Sequence, residues 1–130
     1  MYALDTNTLI YFFKGIGQVA KNLLVQPPSE IQIPTVVAYE IETGIAKSER
    51  AEARRSQFDQ LLDVVHLVPF DHAAARQAAR LRACLERRGT PIGPLDTLIA
   101  GTALARGATL VTHNTGEFSR VEGLNLVDWY

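Results

Sequence analysis

Four acidic residues in this chain occupy places where an acid is expensive, and together they suggest one chemistry. Asp5 lies in LDTNTLIYFF, between an apolar strand-like run and a helix-like one. Glu40 lies in IPTVVAYEIETG, Asp96 in GTPIGPLDTLIAGTALARG and Glu117 in TLVTHNTGEF. A carboxylate turned toward a protein interior without a cation costs several kcal/mol or more. Each acid also has a plain structural reading. Asp5 can cap the next helix by accepting hydrogen bonds from its first amides. Glu40 can lie on a partly exposed helix with its stem against the core. Asp96 falls in a first helical turn, where the helix dipole favours negative charge by ~0.3–1 kcal/mol. Glu117, like Thr112 and Asn114, follows a strand and can belong to ordinary loop chemistry.

As a set, the four converge. At about 100° per residue, Glu40 shares a side with Val36, Val37 and Gly44, inside a broad apolar stripe, while Glu42 points the opposite way. Asp96 heads a stripe continued by Ile99, Ala100 and Ala103. Two acids therefore sit at or beyond strand ends, and two lie on inward helix faces. Two unit negative charges about 4 Å apart repel by ~4 kcal/mol at an effective dielectric of about 20. No buried lysine or arginine is evident among them. Oxygen-only ligands, without Cys or His at ligand spacing, suit a hard cation such as Mg²⁺ or Mn²⁺ rather than zinc. Such an ion takes phosphate oxygens as further ligands and lowers the pKa of bound water, the arrangement of phosphodiester hydrolysis. Competing chemistries lack their residues. His66, His72 and His113 are scattered, and neither a Walker glycine loop nor GxGxxG is present.

The elements that must position these acids can be read from hydrophobic period and turn signals. Strands are expected at Tyr2–Leu4, Glu30–Ile33, Val64–Val68, Thr109–Thr112 and Asn125–Val127. Helices are expected at Thr8–Lys14, Gln18–Gln26, Thr35–Lys47, Glu49–Leu62, His72–Arg88 and Leu95–Arg106. Strands alternating with helices indicate βαβ units and a mostly parallel sheet covered on both faces. Ligands of such sheets bind beyond the carboxyl ends of the strands, where Asp5 falls.

A length of 130 residues predicts a single domain, 1–130, with no repeat, linker or low-complexity tract. The single cysteine, Cys84, excludes an internal disulfide framework and fits a reducing cytoplasm. No secretory leader and no membrane-spanning run of about 20 apolar residues is visible. The net charge of −1 excludes a global attraction to nucleic acid, so RNA binding would need local patches. Arg76, Arg80 and Arg87 form one, opposite the apolar face Ala74, Ala78, Leu81 and Leu85; Lys47, Arg50, Arg54 and Arg55 form a second. Both can equally be solvated faces. The apolar face of the helices from Leu9 to Leu24 suits either core packing or docking of a partner.

The four segments LDTNTLI, EIETG, GTPIGPLDTLIAG and VTHNTGEF, in this order and spanning nearly the whole chain, resemble PIN-domain proteins of the VapC toxin type. The resemblance implies a three-layer α/β/α sandwich and Mg²⁺-dependent endoribonuclease activity, with Mn²⁺ as a substitute. It also implies a toxin of a type II toxin–antitoxin system, a homodimer held in check by a VapB-type antitoxin, and structured RNA, often tRNA, as substrate. By motif position Asp5 and Asp96 match the family's principal metal ligands, and Glu40 a third acidic site residue. Many relatives carry aspartate at the position of Asn114 and another acid at that of Glu117; here only Glu117 is charged, so one firmly held ion is expected. Thr6, Asn7, Thr112 and Asn114 are placed to orient ligands or water. The expected mechanism is attack of water on the phosphodiester, leaving 5′-phosphate and 3′-hydroxyl ends. Alternatives from other classes are a non-catalytic RNA-binding module of the same fold and a phosphoacceptor domain. The second lacks its companion acid and late-strand lysine. Cleavage of DNA also stays open.

Overall fold

In the computed structural model, which describes residues 1–130, five short apolar runs become strands: β1 (Tyr2–Leu4), β2 (Ile31–Pro34), β3 (His66–Val68), β4 (Thr109–Val111) and β5 (Leu126–Val127). They pair in parallel in the order β3-β2-β1-β4-β5. Tyr2 lies opposite Ile31 on one side and Thr109 on the other, and Leu4 opposite Val111. A sheet covered on both faces does not alternate polar with apolar residues, and β2 is buried at all four positions. The helices α1 (Thr6–Lys14), α2 (Val19–Leu24), α3 (Thr35–Ala46), α4 (Ala51–Leu62), α5 (His72–Arg87), α6 (Pro94–Arg106) and α7 (Thr115–Phe118) lie on both sides. The expected α/β/α arrangement holds. No helix is long and apolar enough to cross a membrane.

Strand order reverses at β1, whose neighbours are β2 on one side and β4 on the other. The gap between the carboxyl ends of β1 and β4 is therefore the topological switch point, where open α/β sheets bind ligands. Asp5 follows β1, and the segment from Thr112 to Glu117 follows β4.

Departures from the sequence reading have local causes. Val64 and Val65 do not extend β3, because their amides donate to the Leu61 carbonyl as α4 ends, and Val64 is exposed. Pro28–Glu30 forms a 3₁₀ turn rather than the start of β2. The four-residue α7 was not expected; it is shorter than one period of a hydrophobic stripe, and its anchor is the single buried Phe118.

The helix that carries Asp96 is set by close packing. Gly101 of α6 faces α5 so tightly that an added Cβ would lie 2.6 Å from the Ala78 Cβ and 2.9 Å from the Ala74 carbonyl oxygen. Ala74, Ala78, Leu81 and Leu85 form the buried side of α5. Glycine costs a helix interior about 1 kcal/mol relative to alanine, so its place here reflects close approach rather than propensity. Gly101→Ala is predicted to lower unfolding free energy by about 1–3 kcal/mol despite the gain in helix propensity, measured by urea denaturation. A stabilised variant would mean that α5 and α6 stand further apart.

Candidate active site and metal centre

Asp5 is fixed three ways. Its amide donates to the Val111 carbonyl (3.2 Å), extending the β1–β4 ladder by one residue. Its carbonyl accepts from Leu9 N, and its Oδ1 accepts from Thr8 N at 2.9 Å, capping α1. The Thr8 hydroxyl, itself buried, donates to the same Val111 carbonyl at 3.0 Å. The capping reading of Asp5 is thus correct, yet it uses only one oxygen. The carboxylate is 5% exposed, and Oδ2 has no protein donor.

The other acids arrive from three further elements. Glu40, in the second turn of α3, accepts the Thr6 hydroxyl on Oε1 at 2.6 Å. It is half-buried, at the edge of the stripe Val37, Ile41 and Ile45 rather than inside it, and Gly44 beside it is exposed. The broad stripe drawn from sequence was too wide on that side. Asp96 stands in the first turn of α6, after Pro94 at the start of the helix. Glu117 in α7 accepts from Gly93 N on Oε1 and from Asn114 Nδ2 on Oε2, each at 2.8 Å. The buried Thr112 accepts from Asn114 N at 3.0 Å and so shapes the turn into α7.

Three of the acids act on the fourth. Asp96 is pushed up to about 6, first by partial burial and then by the charges of Glu117, Asp5 and Glu40. Glu117 moves the other way: the Gly93 amide and the Asn114 side chain hold it below the usual glutamate range. None of the four acids forms a salt bridge. Arg120 acts on Glu117 from nearby, but its guanidinium donates to the Pro91 carbonyl.

The donor set suits a hard divalent cation held by few protein ligands. As placed, no three His, Cys, Asp or Glu residues close around a common point. Two carboxylates completed by water and phosphate match the habit of Mg²⁺. Space for that is kept by Gly93, where a methyl group would sit 3.5 Å from Asp96 Oδ2 and 3.8 Å from Glu117 Oε1.

Of the supporting residues, Thr6, Thr112 and Asn114 bond to the cluster or to its scaffold, whereas Asn7 is exposed and bonds to none of the acids. Sequence reasoning missed Thr8, Gly93 and Arg120. Thr8 had a signal, since it lies three residues after a capping aspartate; Gly93 and Arg120 matter only through long-range contacts. Arg76, Arg80 and Arg87 are exposed on α5. Arg80 shares a cleft with Arg120, and none of the larger clefts contains an α5 arginine together with one of the four acids.

Comparison with known proteins gives the family to which this fold belongs. Residues 2–124 match the family described as PIN domain. The chain belongs to that family, among its VapC-type ribonucleases. It is 34% identical to the tRNA(fMet)-specific endonuclease VapC of Shigella flexneri, covering 98% of this chain and 97% of the relative. It is likewise 34% identical to ribonuclease VapC2 of Rickettsia felis, covering 99% and 98%. Among solved structures, it is similar to VapBC2 from Rickettsia felis bound to a promoter DNA fragment (TM-score 0.91, 35% identity, 99% and 98% covered). DNA-bound VapBC from Salmonella typhimurium gives a TM-score of 0.92 at 32% identity, with the same coverage.

The raised Asp96 predicts a pH dependence. The folded protein holds this proton more tightly than the unfolded chain, whose ordinary value is 3.8. The resulting stabilisation is full below about pH 4 and lost as pH rises through about 6. A shift of this size corresponds to at most ~3 kcal/mol, reduced to roughly 1–2 by the partial exposure of Asp96. Glu117 contributes oppositely, in a lower window: its stabilisation is present above 4.5 and lost as pH falls. In EDTA, unfolding free energy should therefore fall between pH 4.5 and 6.5 in the wild type and stay flatter in Asp96→Asn, as read by urea titration.

Proposed function

We propose that the chain is the toxin of a VapBC-type toxin–antitoxin pair: a Mg²⁺-dependent endoribonuclease in one domain, 1–130, that cleaves structured RNA such as tRNA. The observation that carries this reading is the acid cluster itself. Four carboxylates come from four elements, none of them in a salt bridge, and Asp96 is raised by its burial and then by the charges of the other three. The relatives named as endonucleases and ribonucleases support RNA as the substrate. Solved VapBC complexes support a VapB-type antitoxin as partner. The exposed Leu24 and Val25 after the Leu9–Leu24 face support a homodimer surface there. The cytoplasm, where such an RNA substrate is found, is the proposed site of action.

Asp5 and Asp96 would hold the ion, with Mn²⁺ able to replace Mg²⁺. When bound, the cation supplies positive charge against the phosphate and lowers the pKa of water. The chain's own contributions are positional. Thr8 and the β1–β4 ladder hold Asp5, and Thr6 orients Glu40. Gly93 and Asn114 hold Glu117, which stays anionic and can accept a proton bond from water. Thr112 fixes Asn114. Arg76, Arg80 and Arg87 offer a cationic surface for RNA segments distant from the cluster.

Asp5→Asn tests the reading without disturbing the cap, because asparagine caps helices as well as aspartate. The variant is expected to fold and to lose cleavage by about 100-fold or more, since a ligand charge is removed at unchanged size. The assay incubates antitoxin-free protein with total RNA in Mg²⁺ or EDTA and sequences the new ends. New 5′-phosphate and 3′-hydroxyl ends in Mg²⁺ alone are expected. Full activity of folded Asp5→Asn would remove Asp5 from the mechanism.

A further inference from the structure

A cluster of carboxylates repels the polyanion it is meant to cut, so cations are needed within about one Debye length, ~8 Å at physiological salt. The α5 arginines do not share a cleft with the acids. A different set shares one with Glu40. Glu40 lines a groove of about 370 Å³ together with Lys14, Arg50 and Arg54. Its floor includes Phe13 and the buried Phe58, whose rings meet edge to face at 6.4 Å. The volume is in the range of small-ligand sites.

Local structure places each cation. Lys14 ends α1, where the helix dipole favours positive charge, and Gly15 closes the helix in the left-handed conformation at φ 67°. Arg50 and Arg54 are one turn apart at the start of α4 and share a face. All three are exposed, and none is in a salt bridge. Arg55 next to them is different: it is paired with Glu42 at 2.7 Å. That pair occupies Glu42; Glu49 and Glu52, which share a shallow cleft with Arg50, form no salt bridge with it, so Arg50 and Arg54 stay unpaired.

We propose that Lys14, Arg50 and Arg54 form the track that grips RNA phosphates beside the scissile bond, with the half-buried Phe13 as an apolar contact for a base. The proposal rests on the nuclease reading and adds the direction in which substrate leaves the acid cluster: along α3 and α4, past Glu40. A polyanion is favoured over an acidic protein segment because the groove opens onto a carboxylate of the reaction site. An occupant there must bring its own reason to approach negative charge, and a phosphate bound through a cation has one.

The experiment uses Lys14→Gln/Arg50→Gln/Arg54→Gln, with Arg50→Lys/Arg54→Lys as the charge-keeping partner. Binding of a short fluorescein-labelled single-stranded RNA is followed by anisotropy in EDTA at several salt concentrations. Loss of three phosphate contacts should make the log K against log [salt] slope shallower by about 2. In Mg²⁺, KM for the RNA should rise about tenfold or more while kcat changes little. The lysine variant should keep the wild-type slope, and Arg76→Gln/Arg80→Gln/Arg87→Gln should change it less than the groove variant does. A groove variant with wild-type slope and KM overturns the track and leaves the groove to an acidic protein partner. A larger loss from the α5 variant overturns it as well. If the wild type cuts no RNA in Mg²⁺ or Mn²⁺, the nuclease reading fails, whereas the binding slopes still decide the track.

Discussion

Negative charge concentrated at one rim of the sheet is the constraint around which this molecule is arranged. Partial burial and three neighbouring carboxylates lift Asp96 from the ordinary 3.8 to about 6. No arginine or lysine forms a salt bridge with any of the four, and Arg120 acts on Glu117 only from a distance. The fold holds the acids apart by separate anchors instead: a strand extension and helix cap for Asp5, a hydroxyl for Glu40, and a backbone amide with an asparagine for Glu117. Charge left uncompensated inside a scaffold this well anchored is a form of preorganisation toward a cation.

The sheet makes the gathering possible. With all strands parallel, every segment leaving a carboxyl end emerges on the same rim, so Asp5 and the Thr112–Glu117 segment become neighbours despite a long separation in sequence. The Val111 carbonyl ties them directly, since it accepts from both the Asp5 amide and the Thr8 hydroxyl. On the other side, α6 is held against α5 at the distance Gly101 allows, and that contact sets where Asp96 stands.

Much of this was legible before the structure. The strand that ends at Asp5 and the helix between Pro94 and Gly107 have strong local punctuation, and their acids fall where hydrophobic period and capping rules put them. What sequence blurred were features that depend on tertiary neighbours. Glu40 sits at the stripe's edge, half-buried with Gly44 beside it exposed, a boundary set by tertiary neighbours that no helical wheel contains. The turn α7 is too short to have a period. The pairing of Arg55 with Glu42 separates free arginines from occupied ones within a single basic run, and only the packing of α3 on α4 reveals it.

The hydrogen bonds also rank the acids as ligands. Glu117 already accepts a strong donor on each oxygen, from Gly93 and from Asn114. Glu40 and Asp5 each hold one donor, which leaves one oxygen of each carboxylate open. Asp96 accepts no hydrogen bond from a protein amide or hydroxyl, and it faces Glu117 closely enough for the two carboxyls to share a proton. An oxygen that must first release a charge-assisted bond is a weaker ligand than a free one. By this measure the buried Asp5 keeps one oxygen open, whereas both oxygens of Glu117 are engaged by protein donors. The asparagine at position 114 is decisive here. An aspartate there would add a fifth acid and release Glu117 from its donor, giving the rim the charge and the free oxygens for a second ion. With Asn114 donating to Glu117, that oxygen is already engaged.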